Sequence, residues 1–262
     1  MKSGVPAENG GVINDVAARG FGSDSSASTY EQHRPSYPPA AIDWLVDRFG
    51  LGPGTTVVDV GAGTGKLTRL LVPTGAHVVA VEPLDSMRGE LEAAVPDAEA
   101  LAGTAEAIPR PESSADAVVV AQAFHWFRPV EALAELARIV RPGGGLALIW
   151  NHWDRRDPWV GELLRVIDWH RQKPHDAKHD WPAVVAASSA RWTPLECVTF
   201  DNHQLLDRER LVGRVLSISY LASAPPAQQA EVAAAVRDLT ADFEEPFTLP
   251  YLTDVYWGYL RP

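Results

Sequence analysis

Cysteine is nearly missing from this chain: Cys197 is the single one in 262 residues. One thiol can form neither an intrachain disulfide nor a thiolate metal cluster, and that usage fits a reducing cytosol, so a cytoplasmic location is expected. Long apolar runs are missing too. No segment approaches the about 20 apolar residues that cross a bilayer, and the opening MKSGVPAENGGVINDVAARG lacks the apolar core of a secretory signal. Nor is there a run of lysine and arginine interleaved with aromatics, and the formal net charge is -11. Such an acidic field repels phosphate backbones and anionic lipid surfaces, which excludes nucleic acid and membrane as expected partners. Internal repeats and low-complexity tracts are absent as well. Oligomeric state leaves no trace in the sequence.

With 46% hydrophobic residues the chain can bury one large α/β core with an appendage. Residues 1–36 read as an N-terminal arm. From Tyr37 the pattern becomes regular: Pro38 and Pro39 open a helix that carries Ile42, Leu45 and Val46 on one face and stops at glycines. Apolar strand candidates follow at TVVDV (56–60), HVVAVE (77–82), AEALAG (98–103), ADAVVVAQ (115–122) and GLALIWN (145–151). Helix candidates separate them at Lys66 to Leu71, Asp85 to Ala94 and Pro129 to Val140, the last stopping at RPGGG. Strands that are apolar throughout and alternate with helices predict an α/β fold: a doubly wound, mostly parallel sheet covered on both faces.

Residues 37–151 form the core of that reading. Beyond Asn151 tryptophan, histidine and charge intermix, and seven of the nine tryptophans lie at or beyond Trp150. Residues 152–192 are read as an insertion between strands, a place where caps commonly sit. Residues 193–262 then complete a seven-stranded sheet, with a strand near 195–201, helices around 207–218 and 226–242, and a final strand pair in 247–260.

The stretch VVDVGAGTGKLT, Val57 to Thr68, has the look of a nucleotide loop, and spacing separates the candidates. A phosphate-cradling loop of the form G-x-x-x-x-G-K-[ST] would need glycine at Val60 and a hydroxyl at Leu67, and both fail. A dinucleotide fingerprint G-x-G-x-x-G, counted from Gly61 and Gly63, would need its third glycine at Lys66, which misses by one residue. What remains is an acidic residue followed by alternate glycines: Asp59, Gly61, Ala62, Gly63 and Gly65. Glycines without Cβ let a backbone approach a ligand closely. Glu82 ends the second strand about 20 residues on, where a carboxylate can take both hydroxyls of a ribose. GTAEAIP (103–109) and AQAFHWF (121–127) follow the third and fourth strands, so four strand tips converge at one sheet edge.

These motifs resemble those of the class I S-adenosylmethionine-dependent methyltransferases. TYEQHRPSYP (29–38), AQAFHWF and LPYLTDVY (249–256) are similar to the branch that includes trans-aconitate-methylating and related small-molecule enzymes. The resemblance implies transfer of a methyl group from S-adenosylmethionine to a small molecule, leaving S-adenosylhomocysteine. It also implies that Asp59, Gly61, Ala62, Gly63, Gly65, Glu82 and Gln122 hold that cofactor, with the adenine met in the loop Thr104, Ala105, Glu106. Whether Thr104 or Glu106 makes that contact stays open. The segment before Tyr37 is implied to fold over the cofactor, which makes Tyr30, Arg34 and Tyr37 candidates for the substrate side.

An in-line displacement needs the acceptor about 3–3.5 Å from the methyl carbon, so positioning is most of the catalysis. His125 and His152 are candidate bases, because an imidazole titrates near neutrality. His125 can equally be a histidine that shapes the pocket. Trp126 and Trp153 are candidate walls for a dry acceptor site. If the acceptor is a carboxylate, a cation is required instead of a base, and Arg34, Arg128, Arg155 and Arg156 are available. His170, His175 and His179 invite a metal reading, but Pro174 interrupts the segment, and no metal is expected. Two alternatives remain at this level: a cofactor-binding protein that does not methylate, and a nicotinamide oxidoreductase.

Overall fold

The computed structural model describes residues 4–6, 12–14, 34–168, 180–222 and 224–262. Gly4–Pro6 (β1) and Val12–Asn14 (β2) pair as a small antiparallel ribbon. The sheet proper comprises Thr56–Val60 (β3), His77–Val81 (β4), Glu99–Leu101 (β5), Ala115–Ala121 (β6), Val140–Trp153 (β7), Glu196–Leu206 (β8) and Phe247–Tyr259 (β9). Their spatial order is β5-β4-β3-β6-β7-β9-β8. The first five positions are parallel, and β9 runs antiparallel to both of its neighbours. This is the seven-stranded, doubly wound sheet the pattern predicts, with its switch of direction between β3 and β6.

Helix ends follow local chemistry. Pro39–Phe49 (α1) starts on proline and ends on Gly50 at φ 63°, whose N–H donates to the Val46 carbonyl. Thr68–Leu71 (α2) is a short turn after the glycine loop, and Asp85–Ala94 (α3) follows β4. Pro129–Ile139 (α4) again has proline in its first turn and buries Leu133 and Leu136. Side chains alternate across the sheet. Val57, Val119, Ala147 and Ile149 pack beneath α1, while Val58, Val120, Leu146 and Leu148 pack beneath α4.

The segment after β7 does not stay together. Pro158–Asp168 (α5) joins Arg208–Leu216 (α7), Ser219–Ala222 (α8) and Pro226–Leu239 (α9) in a second core, whereas Trp181–Ser188 (α6) packs with α4 on the sheet. That second core takes in Trp153 at the end of β7, Leu206 at the end of β8 and Leu249 and Tyr251 at the start of β9. Because β9 is antiparallel to both neighbours, all three lie at the carboxyl edge of the sheet. A helical unit drawn from two separate stretches therefore stands over that edge.

Two details differ from the sequence reading. Residues 247–260 were expected to make a strand pair, yet Phe247–Tyr259 is one strand of 13 residues. The reason is that Thr253 and Asp254, the polar pair at its middle, are buried and partnered within the sheet. β7 also runs on through Trp153, so His152 and Trp153 are strand residues. No helix among the described residues is long and apolar enough to cross a membrane.

Leu136 is fully buried between α4 and the sheet. Leu136→Ala should cost about 2–5 kcal/mol in urea unfolding through the cavity it leaves. An unchanged midpoint would contradict this packing.

Candidate active site

The glycine loop after β3 divides its labour. Gly61, Gly63 and Gly65 have φ of 71°, 58° and 82°, a region that costs residues with a Cβ. A Cβ on Gly61 would stand 2.7 Å from Ala123 Cβ, and one on Gly65 would meet Leu91 and Val95 at 3.1 Å. Those two glycines serve packing. Gly63 has nothing within 4 Å of the position a Cβ would take, so its open side faces free space. The loop is pinned from behind: Gly61 and Ala62 N–H both donate to the Val81 carbonyl at 2.8 and 3.2 Å.

Glu82 joins the loop to the next strand tip. Its Oε2 accepts from Gly63 N–H at 2.9 Å and its Oε1 from Leu84 N–H at 3.0 Å. Burial raises the carboxyl above its ordinary range, and the two backbone N–H groups and Arg88 oppose that rise. Asp59, one strand over, is fully buried. Its Oδ2 accepts from the Thr68 hydroxyl at 2.7 Å, and its Oδ1 has no hydrogen-bond partner. Burial pushes this carboxyl up to about 7; the Thr68 hydrogen bond works against the shift and the Glu82 charge adds to it.

After β5, Thr104 is buried and its Oγ1 has no partner. Ala105 is buried in the α4 core, and Glu106 Oε1 accepts from the backbone N–H of Arg128 at 2.8 Å, just before α4. At the tip of β6, Gln122 holds φ 57°, which is rare without glycine. Its N–H donates to the Ile149 carbonyl and its Nε2 to the Asn151 carbonyl, both at 2.9 Å. Two clamps from β6 to β7 thus hold the strained residue.

Of the two histidines, His125 stands with a cluster of aromatic rings and His152 with a carboxylate. His125 lies 4.2 Å from the Trp126 ring centre and 5.2 Å from that of Trp150, and Trp150 stacks on Trp181 at 5.0 Å. His152 Nε2 sits 2.9 Å from Asp254 Oδ2, and Asp254 Oδ1 accepts from the Thr199 hydroxyl at 2.6 Å. Alternation along β7 puts Trp150 and His152 on the α4 face, and Asn151 and Trp153 on the other.

On that other face a cleft opens, lined by Arg34, Tyr37, Lys66, Gln122, Asn151, Arg214 and Tyr251. The chain around Arg34 is tied down: Asn151 and Asn202 donate to the Ser36 carbonyl at 3.0 and 2.9 Å, and Arg34 Nη2 donates to the Ser217 carbonyl at 3.1 Å. Trp153 forms the floor of the second core, with the Arg214 guanidinium 5.3 Å from its ring centre. Tyr30, His170, His175 and His179 fall outside the described residues.

Sequence reasoning missed Arg214, Asn151 and Tyr251 as cleft residues. Arg214 had a signal: it sits three positions after Leu211 and four before Ile218, on the apolar face of its helix, where a solvated arginine has no place. Asn151 and Tyr251 had none, because only strand pairing brings them together.

Comparison with known proteins identifies the family. A family model described as a methyltransferase domain matches residues 58–148. An uncharacterized methyltransferase of Mycobacterium tuberculosis is 40% identical over 239 residues, covering 87% of this chain and 91% of that protein. The chain belongs to the class I S-adenosylmethionine-dependent methyltransferases. Two solved structures share the fold: a candidate type II methyltransferase from Anaeromyxobacter dehalogenans, with TM-score 0.62 at 23% identity over 87% of this chain and 99% of that one, and the Phospholethanolamine N-methyltransferase 2 of Haemonchus contortus. The latter was solved with phosphomonomethylethanolamine and S-adenosylhomocysteine, and matches with TM-score 0.56 at 13% identity over 95% of this chain and 60% of that one.

The elevated Asp59 carboxyl gives this methyltransferase a pH signature in the absence of cofactor. Below pH 3.8 the group is neutral both folded and unfolded; between 3.8 and about 7 only the unfolded chain ionises it, so stability falls as pH rises; above about 7 the penalty is complete and constant. Asp59→Asn keeps an acceptor for Thr68 and removes the penalty. Its melting temperature relative to wild type should therefore climb from about pH 4 to about pH 8. Parallel melting curves across that range would refute the buried-acid assignment.

Proposed function

We propose that this methyltransferase moves the methyl group of S-adenosylmethionine to a small-molecule acceptor held in the cleft between Gln122 and the second core. The observation that carries the reading is the set of groups at adjacent strand tips: Gly63 with open space on its Cβ side, the Glu82 carboxylate bonded to its N–H, and the orphaned Thr104 Oγ1. These fit the cofactor in order. The loop from Gly61 to Gly65 faces its amino-acid portion, Glu82 takes the ribose hydroxyls with the lone pairs its two N–H donors leave, and Thr104 meets the adenine edge. Glu106 is already committed to Arg128, which favours Thr104 for that contact.

When bound, the cofactor supplies an electrophilic methyl on a cationic sulfonium. The chain's own task is to place the acceptor in line at about 3–3.5 Å and to keep water out. The second core, standing over the carboxyl edge, supplies the dry wall. Of the two candidate bases, His152 has a carboxylate to orient its imidazole and His125 has aromatic packing. Both stand across the sheet from Asn151, so the cleft itself favours an acceptor that needs a cation rather than a base. The motifs TYEQHRPSYP, AQAFHWF and LPYLTDVY support a branch similar to trans-aconitate-methylating enzymes, and the acidic balance supports a cytoplasmic enzyme of small metabolites rather than of nucleic acid.

Calorimetric titration with S-adenosylhomocysteine, with NADH alongside, tests the assignment. The homocysteine compound should bind and NADH should not. Glu82→Gln should weaken binding by about 1.5–3 kcal/mol for the charge-assisted ribose contact. Thr104→Val should weaken it less, and Glu106→Gln should leave it unchanged. Wild-type affinity in Glu82→Gln would sink the ribose role, and a loss confined to Glu106→Gln would move the adenine contact there.

A further inference from the structure

Arg214 is a buried guanidinium without a counter-ion among the described residues. Only 5% of the residue is exposed, its Nε–H donates to the Tyr251 hydroxyl at 3.1 Å, and its Nη1 has no hydrogen-bond partner. It makes no ion pair with any described residue. Tyr251 passes the contact on to Gln204 Oε1 at 3.4 Å, and the guanidinium carbon stands 5.3 Å from the Trp153 ring centre. The Nε side is thus anchored, the Nη1 side is buried and unsatisfied, and the residue lines the cleft. Arg34 and Lys66 line the same cleft, so three cationic side chains meet there in a chain whose net charge is -11. An uncompensated buried charge is strongly unfavourable, and the fold tolerates it where an incoming anion completes the pair.

We propose that Arg214 is the specificity-determining residue of the acceptor site, and that the methyl acceptor carries a carboxylate held end-on by its two Nη groups. The proposal rests on the methyltransferase reading above. A planar guanidinium edge matches two carboxylate oxygens. The surroundings argue for a monoanion: the Trp153 ring and the second core are apolar, and the cost of desolvating an ion rises with the square of its charge. Position assigns the group to the acceptor rather than to the cofactor's own carboxylate. Lys66 and Gln122 follow β3 and β6, beside the glycine loop, whereas Arg214 and Tyr251 belong to the second core and to β9, two strands beyond β6.

The test uses the full chain loaded with S-adenosylhomocysteine, in wild type, Arg214→Met, Arg214→Lys and Tyr251→Phe, each checked for folding by circular dichroism. The probes are hexanoate, phenylacetate and benzoate, their three primary amides, and inorganic phosphate. At least one carboxylate should bind the loaded wild type about tenfold or more tightly than its amide. Arg214→Met should abolish that preference, and Arg214→Lys should keep part of it. Tyr251→Phe, which leaves the guanidinium but removes its anchor, should reduce it, and this holds the proposal to account even if Arg214→Met does not fold. Equal binding of acid and amide, binding of no carboxylate, or tighter binding of phosphate than of every carboxylate would overturn the proposal. A tenfold loss of S-adenosylhomocysteine affinity in Arg214→Met would overturn it by giving the guanidinium to the cofactor. Failure of the wild-type chain to bind S-adenosylhomocysteine at all would remove the cofactor reading, and this proposal with it.

Discussion

One buried carboxylate organises the carboxyl edge of the sheet. Glu82 closes β4 and reaches sideways to the N–H of Gly63, so the loop after β3 and the tip of β4 are held as a single surface. The carbonyl of Val81 supports the start of the same loop, and the Arg69 side chain holds the carbonyls of Thr64 and Gly65 at its end. The arrangement is demanding because Asp59 lies nearby, fully buried and half unsatisfied, and the Glu82 charge adds to the cost of ionising it.

Around this edge the chain returns three times. The segment at Arg34 to Tyr37 is tied by Asn151 of β7, Asn202 of β8 and the end of α7. The helix α5 and the group α7 to α9 close the same side from two distant stretches of sequence. Only α6 goes the other way, to α4, where its tryptophan stacks on Trp150. The aromatic cluster and the polar cleft thus occupy opposite faces of one strand, separated by the pleat of β7.

The core of the fold was legible because it is written locally. TVVDV, HVVAV and ADAVVVA are runs of valine and alanine with only one or two polar positions each, and prolines mark the starts of α1 and α4. The glycine loop and Glu82 were legible for the same reason: their spacing follows from one strand, one turn and the next strand. The second core was not. Helices 207–218 and 226–242 read correctly as helices, but nothing in their periodicity says whether they cover the sheet face or the sheet edge. The break between α5 and α6 was equally hidden, since both lie in one tryptophan-rich stretch. Arg214 belongs to the same class of omission: its place on an apolar helical face can be counted, yet its lack of an acidic partner among the described residues is a property of everything packed around it.

The charged side chains that line the cleft are of one sign. Lys66 follows the glycine loop, Arg34 precedes α1 and Arg214 belongs to the second core, while the acids Asp59 and Glu82 lie buried outside that lining. Three cations drawn from distant parts of the sequence thus meet in a chain whose net charge is -11. The field of the whole surface and the field of the cleft therefore have opposite signs, and a small anion that the first holds off at long range meets attraction only once it has entered.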